Sequence, residues 1–194
     1  MTRIVSIFER RDIGWMVLIL LFGVVLRLGA IMALDHVPEG DEMAYKSMAL
    51  NLVAGHGLVD GLGNRALYNV GYPLFVIAPI FYLFGDDVYF IRLANLLLGL
   101  ISICLCYAVA KEAGAGRSGR ILSAAFWALY LPTGVYGVYI AKENLLAPLM
   151  LGAVWLVLRM VQTPTNRLAI QCGVLFGLIA LVGNAGLSLV ATVP

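Results

Sequence analysis

Five stretches carry enough consecutive apolar residues to cross, or nearly cross, a bilayer: residues 13–34, 88–110, 121–140, 145–161 and 168–190. A spanning helix needs about 20 such residues. A sixth stretch, PLFVIAPIFYLFG at 73–85, is shorter and interrupted by Pro79, so it reads as an interfacial or re-entrant helix. Between the first span and this short helix, Ala44, Tyr45, Met48, Ala49 and Leu52 recur at helical spacing. They predict an amphipathic helix that begins with Asp41 as its N-cap and stops at Gly55. The pattern as a whole predicts an all-α protein. It is a multi-pass transmembrane helical bundle of about five spans, one membrane module over 1–194, whose large first loop holds short juxtamembrane helices.

Charge orients these spans. Arg3, Arg10 and Arg11 precede the first, Lys111, Arg117 and Arg120 follow the second, and Arg159 and Arg167 flank the turn after the fourth. Positive residues favour the cytoplasmic side, and all three groups fall there only if 73–85 does not cross. The expected topology has residues 1–12 in the cytoplasm, a long outer loop at 35–87 and a short outer loop around 141–144. Pro132 is placed to break the third span and begin that second loop early. The first span is too long for a cleaved signal peptide, and GAIMALDH makes a poor cleavage site, so it reads as a retained anchor. Gly173 and Gly177 offer a close-packing helix face.

Composition gives the same class. Hydrophobic residues make up 62 % of the chain and charged residues 12 %, which points to an integral membrane protein, expected in the plasma (inner) membrane. A net charge of +2, with no basic block beyond the amino terminus, argues against a nucleic-acid partner. Cys104, Cys106 and Cys172 all fall in apolar segments and read as packing residues, not as disulfides or zinc ligands.

Against that background, VPEGDEMAYKSMAL at 37–50 is unusually acidic. A helix N-terminus and a Glu42–Lys46 pair account for part of it without any function. Asp35 and Glu39 read as loop charges, and His36 and His56 as interfacial and loop residues. The second outer loop adds Lys142, for which snorkelling is the ordinary role, and Glu143, at the edge of an otherwise apolar run. Arg27, about 10 Å below the outer end of its span, needs a protein partner, and Arg92 lies a turn into the second span. Acids at Asp41, Glu42 and Glu143 beside Arg65, Arg92 and Lys142 suit group transfer from a phosphate-linked lipid donor. A carboxylate would deprotonate an acceptor hydroxyl, and cations or a bound divalent metal would stabilise the leaving phosphate. Tyr45, one turn after Asp41, either flanks the base or simply packs.

These residues carry a family resemblance. One long span, an Asp-Glu pair in the first outer loop, then GYPLFVIAPIFYLFGDDVYFIRLANLLLGLISICLCYAVAKEAG, resembles the amino-terminal part of the GT-C superfamily of membrane glycosyltransferases. The groups it is most similar to are protein mannosyltransferases, aminoarabinose transferases of lipid A and galacturonosyltransferase-like domains, over about residues 27–159. The resemblance implies a sugar donor on polyprenyl phosphate and transfer at the outer or lumenal face to a glycan, lipid or protein. It also implies an inverting reaction with Asp41 as base, Glu42 beside it, Glu143 as second-loop acid and Arg92 opening the second span. Two departures matter. Met43-Ala44 stands where aminoarabinose transferases have an Arg, and NVGYP replaces their Lys-Pro-Pro. Arg65 or Lys142 would then contact the donor phosphate, with Tyr45 and Arg27 as further substrate-binding candidates. No cofactor beyond a divalent metal is implied.

Members of that superfamily usually carry many more spans. The chain is therefore expected to be a fragment, a truncated product or one part of an assembly with a further membrane subunit. The alternative from another class is a non-catalytic membrane protein, such as a transporter or lipid-carrier subunit. Transporters concentrate ionisable groups near the midplane; here most lie at the outer mouth, which favours surface chemistry.

Overall fold

The computed structural model describes residues 7–65 and 68–183. Arg3 and the carboxyl-terminal part of the predicted fifth span, 184–190, lie outside the described residues. The described chain is helical, with no β-strand beyond an isolated bridge between Val59 and Arg65. A 3-10 turn at Arg10–Asp12 leads into α1 (Ile13–Ala33). The first loop holds α2 (Asp41–Val53) and a π-helical turn, Pro73–Ile77, that runs into α3 (Ala78–Phe84). Then follow α4 (Val88–Glu112), α5 (Arg117–Leu129), α6 (Leu131–Tyr136), α7 (Glu143–Gln162) and α8 (Asn166–Val182).

Among the described residues three helices are long and apolar enough to cross a membrane: Arg10–Ala33, Val88–Glu112 and Glu143–Gln162. Pro73–Phe84 and Asn166–Val182 are apolar but shorter. The third apolar stretch is two helices, not one. Tyr130 is extended, at ψ 96°, and Pro132 sits in the first turn of α6, where its missing N–H costs nothing.

Two local expectations for α2 come out differently. Gly40, at φ 53°, occupies the N-cap, and Asp41 is the first helical residue with no side-chain capping bond. Glu42 reaches back instead, its Oε2 accepting the Glu39 N–H at 3.2 Å in the manner of a capping box. No ion pair joins Glu42 to Lys46 among the described residues. The helix does stop where expected, with Gly55 in the left-handed region at φ 83°.

Helix α4 is the central post, packed against α1, α5 and α7, while α8 leans on α7. Bilayer lipid is as apolar as leucine, so packing between spans depends on close fit and polar contacts rather than on hydrophobic burial. Met16, Ile103, Tyr107, Ala124 and Ala128 form the α1–α4–α5 core. At the opposite end, Tyr45, Met48 and Ala49 of α2 pack on Tyr72, Ile77 and Phe81, which makes the first loop a structured cap over the bundle. Gly71 ties this cap to α8: a Cβ there would lie 2.6 Å from Val182 Cγ2 and 2.8 Å from the Leu181 carbonyl carbon. Gly173 and Gly177, by contrast, face open space within the described chain.

The two ends of the bundle are chemically distinct. At one end the positive turns meet. Arg117 Nε lies 2.8 Å from Asp12 Oδ1, Arg120 pairs with Glu9, and Gln162 donates to the Glu112 carbonyl. Asp12 is fully buried and also accepts a 2.7 Å bond from the Tyr107 hydroxyl. At the other end lie α2 and the 137–143 loop.

The Arg120 hydrogen bond, with Arg11 adding to it, holds the Glu9 carboxyl below its ordinary value of 4.5. A depressed carboxyl contributes stability above that value and loses it as pH falls through the folded pKa. Thermal unfolding in detergent micelles is therefore expected to show a melting temperature that drops below pH 4.5, with a shallower drop in Glu9→Gln.

Candidate active site

The loop at 137–143 is pinned to the first loop by polar side chains. Glu42 is buried, and its two carboxylate oxygens are divided between loops. Oε1 accepts the Ile140 N–H at 2.6 Å, and Oε2 lies 2.5 Å from His36 Nε2 in addition to its bond from Glu39. Arg92, rising from α4, donates from Nε to the Val138 carbonyl at 3.1 Å and from its terminal nitrogen to the His36 carbonyl at 2.5 Å. Asn95, one turn further along α4, donates to the Gly137 and Tyr139 carbonyls at 3.2 and 3.0 Å and accepts a 2.7 Å bond from the Tyr72 hydroxyl. Asn144 gathers the Tyr136, Tyr139 and Ala141 carbonyls from the loop's other side. An irregular loop leaves carbonyls without helical partners, and these amides and the guanidinium supply the donors.

The pinned loops line an open cavity of about 570 Å³. Its walls bring together Asp41, Glu42 and Tyr45 from α2 with Tyr136, Tyr139, Lys142 and Glu143 from the second loop and the start of α7. Asp41 and Glu143 are exposed to it. No hydrogen bond ties the Asp41 carboxylate among the described residues. Lys142 Nζ is steadied by Asn69 Oδ1 at 3.0 Å. Burial, together with the negative field of Glu143 and Asp41, pushes the Tyr45 hydroxyl up to about 12, so it stays neutral and able to donate. A second cavity of about 270 Å³ opens beneath the first, lined by Asn95, Gly99, Trp127 and Thr133. Glu143 and Tyr136 belong to both walls.

The cavity gathers five of the residues singled out from the sequence: Asp41, Glu42, Glu143, Tyr45 and Lys142. Arg92 stands behind the wall and acts on backbone. Arg65 is exposed in the first loop, at its bridge with Val59, and does not line the cavity. Arg27 is buried in α1 and lines neither cavity. Among the described residues no three His, Cys, Asp or Glu side chains group as metal ligands. Sequence reasoning passed over Asn95, Asn144 and Tyr139, and gave His36 only an interfacial role. One signal was available for Asn95: it is a lone amide inside an apolar span, where an unpaired polar group is costly.

A bundle of long apolar helices, with a polar cavity at one end lined by Glu39, Asp41, Glu42 and Glu143, defines an integral membrane protein. The family model for dolichyl-phosphate-mannose-protein mannosyltransferase matches residues 72–192, well over half of the chain. The chain belongs to that family, and so to the membrane glycosyltransferases of GT-C type. Neither a curated protein nor a solved structure matches it. The family match takes in Arg92, Lys142 and Glu143; α2 with its Asp41-Glu42 pair lies before it.

Glu42→Gln exchanges an acceptor-only group for one whose NH2 must face a backbone N–H or His36. The expected cost is about 1–3 kcal/mol, read as a lower midpoint in denaturant unfolding of the detergent-solubilised chain.

Proposed function

We propose that this chain transfers a sugar from a polyprenyl-phosphate-linked donor to an acceptor hydroxyl at the outer or lumenal membrane face, with inversion and Asp41 as general base. The observation that carries this reading is the meeting of Asp41 and Glu143, from two distant loops, in one cavity at the end of the bundle opposite the positive turns. The positive-inside rule puts that end outside. A donor anchored in the bilayer would present its phosphate at this depth.

In the proposed reaction the acceptor oxygen attacks the anomeric carbon from the face opposite the phosphate. The C–O bond to phosphate breaks, its electron pair leaves with the phosphate, and the hydroxyl proton passes to Asp41. Lys142 is the cation on the cavity wall suited to the charge growing on the leaving phosphate. Glu143 can accept hydrogen bonds from sugar hydroxyls, and Tyr45, kept neutral, can donate one. Glu42 serves by holding the loops that carry the others.

The test uses the full chain in vesicles with a polyprenyl-phosphate sugar labelled in the glycosyl group. Asp41→Asn keeps size and polarity but cannot take the proton. Transfer is expected to fall by about a hundred- to ten-thousand-fold, with membrane insertion unchanged. Wild-type rates in that variant would sink the assignment.

A further inference from the structure

Arg27 occupies an unusual place for a buried cation. It is only 3 % exposed, and among the described residues no carboxylate pairs with it. Its guanidinium instead reaches the break in the third apolar stretch. One terminal nitrogen donates to the Ala128 carbonyl at 3.4 Å and to the Gly23 carbonyl of its own helix at 3.3 Å. The other donates to the Thr133 hydroxyl at 3.3 Å. Thr133 in turn gives its hydroxyl hydrogen to the Tyr130 carbonyl at 2.8 Å.

Those acceptors share a cause. Helix α5 ends at Leu129, so its last four carbonyls lose their intrahelical donors. Pro132, four residues after Ala128, has no N–H with which to continue the ladder. Inside a bilayer, water cannot make up the deficit. A cation at a helix C-terminus also meets the negative end of the helix dipole. Gly99 leaves the space: a Cβ there would stand 2.6 Å from Arg27 Nε.

We propose that Arg27 is a positioning residue: from α1 it caps the broken end of α5 and holds the first turn of α6, thereby fixing Tyr136 in the wall shared by the two cavities. Its cation is spent on backbone and a hydroxyl, not on the donor phosphate. The capping role stands on geometry alone, while its consequence for transfer rests on the glycosyltransferase reading.

Amide hydrogen exchange of the full chain in nanodiscs, without donor, tests the cap directly. Arg27→Met removes the fork, Thr133→Val removes the bridging hydroxyl at nearly constant volume, and Gly99→Ala crowds the guanidinium without altering charge. Peptides covering 129–141 are expected to exchange several-fold faster in all three, while peptides from α7 keep their rates. Arg27→Lys, which keeps the charge but reaches fewer acceptors, should restore part of the protection. In the same series the transfer rate at saturating donor should fall in step with the loss of protection, with donor KM little changed. Unchanged exchange at 129–141 in Thr133→Val and Gly99→Ala would overturn the proposal, even if Arg27→Met proved too unstable to isolate. So would a loss confined to donor KM, which would place the cation on the phosphate. Asp41→Asn separates the two readings. It should retain full protection at 129–141; wild-type transfer in it would remove Asp41 as the base, and no transfer by the wild-type chain would remove the glycosyltransferase reading, in both cases leaving the cap standing.

Discussion

The Glu42 carboxylate is the contact on which the site depends. A buried carboxylate must be surrounded by donors or it destabilises the fold, and here every donor comes from a segment that shapes the cavity. Ile140 belongs to the second loop, Glu39 to the turn before α2, and His36 to the exit from α1. One carboxyl group thus joins three stretches of irregular backbone. Arg92 and Asn95 work on the same loops from below, using α4 as a rigid base.

This arrangement divides the labour between adjacent acids. Asp41 and Glu42 point to different surroundings because neighbours on a helix are about 100° apart around its axis. Glu42 turns into the protein and is saturated with hydrogen bonds, whereas Asp41 faces the cavity with its lone pairs available. Loss of activity would therefore mean different things at the two positions. Under the proposed reaction it would report a missing proton acceptor at Asp41, and at Glu42 a loop no longer held in place.

Much of the architecture was legible in the chain because bilayer thickness sets a length that can be counted. The apolar stretches, the short helix at 73–84 and the break near Pro132 follow from length and from the missing proline N–H. The partners of the polar residues were less legible. Glu42 and Lys46 have the spacing of a helical ion pair, yet a backbone N–H from a loop 98 positions away outcompetes it, because a buried acceptor gains more from a close buried donor than from a solvated amine. Asp41 has the composition of an N-cap, but Gly40 adopts the left-handed turn and shifts the helix start by one residue. Arg27 was recognisable as needing a partner; that the partners would be carbonyls at a helix break depended on tertiary contacts spanning about a hundred positions.

That same separation sets an order of assembly. Glu42 is synthesised long before Ile140, and Asp41 long before Glu143. While the second loop is still within the ribosome or translocon, the acidic pair has an incomplete set of partners and no opposing wall. The first loop thus waits, without the wall that faces its acidic pair, until α7 has begun to emerge. The chain cannot form this cavity before Glu143 has been made, so a nascent product halted earlier would carry Asp41 and Glu42 without the wall that faces them.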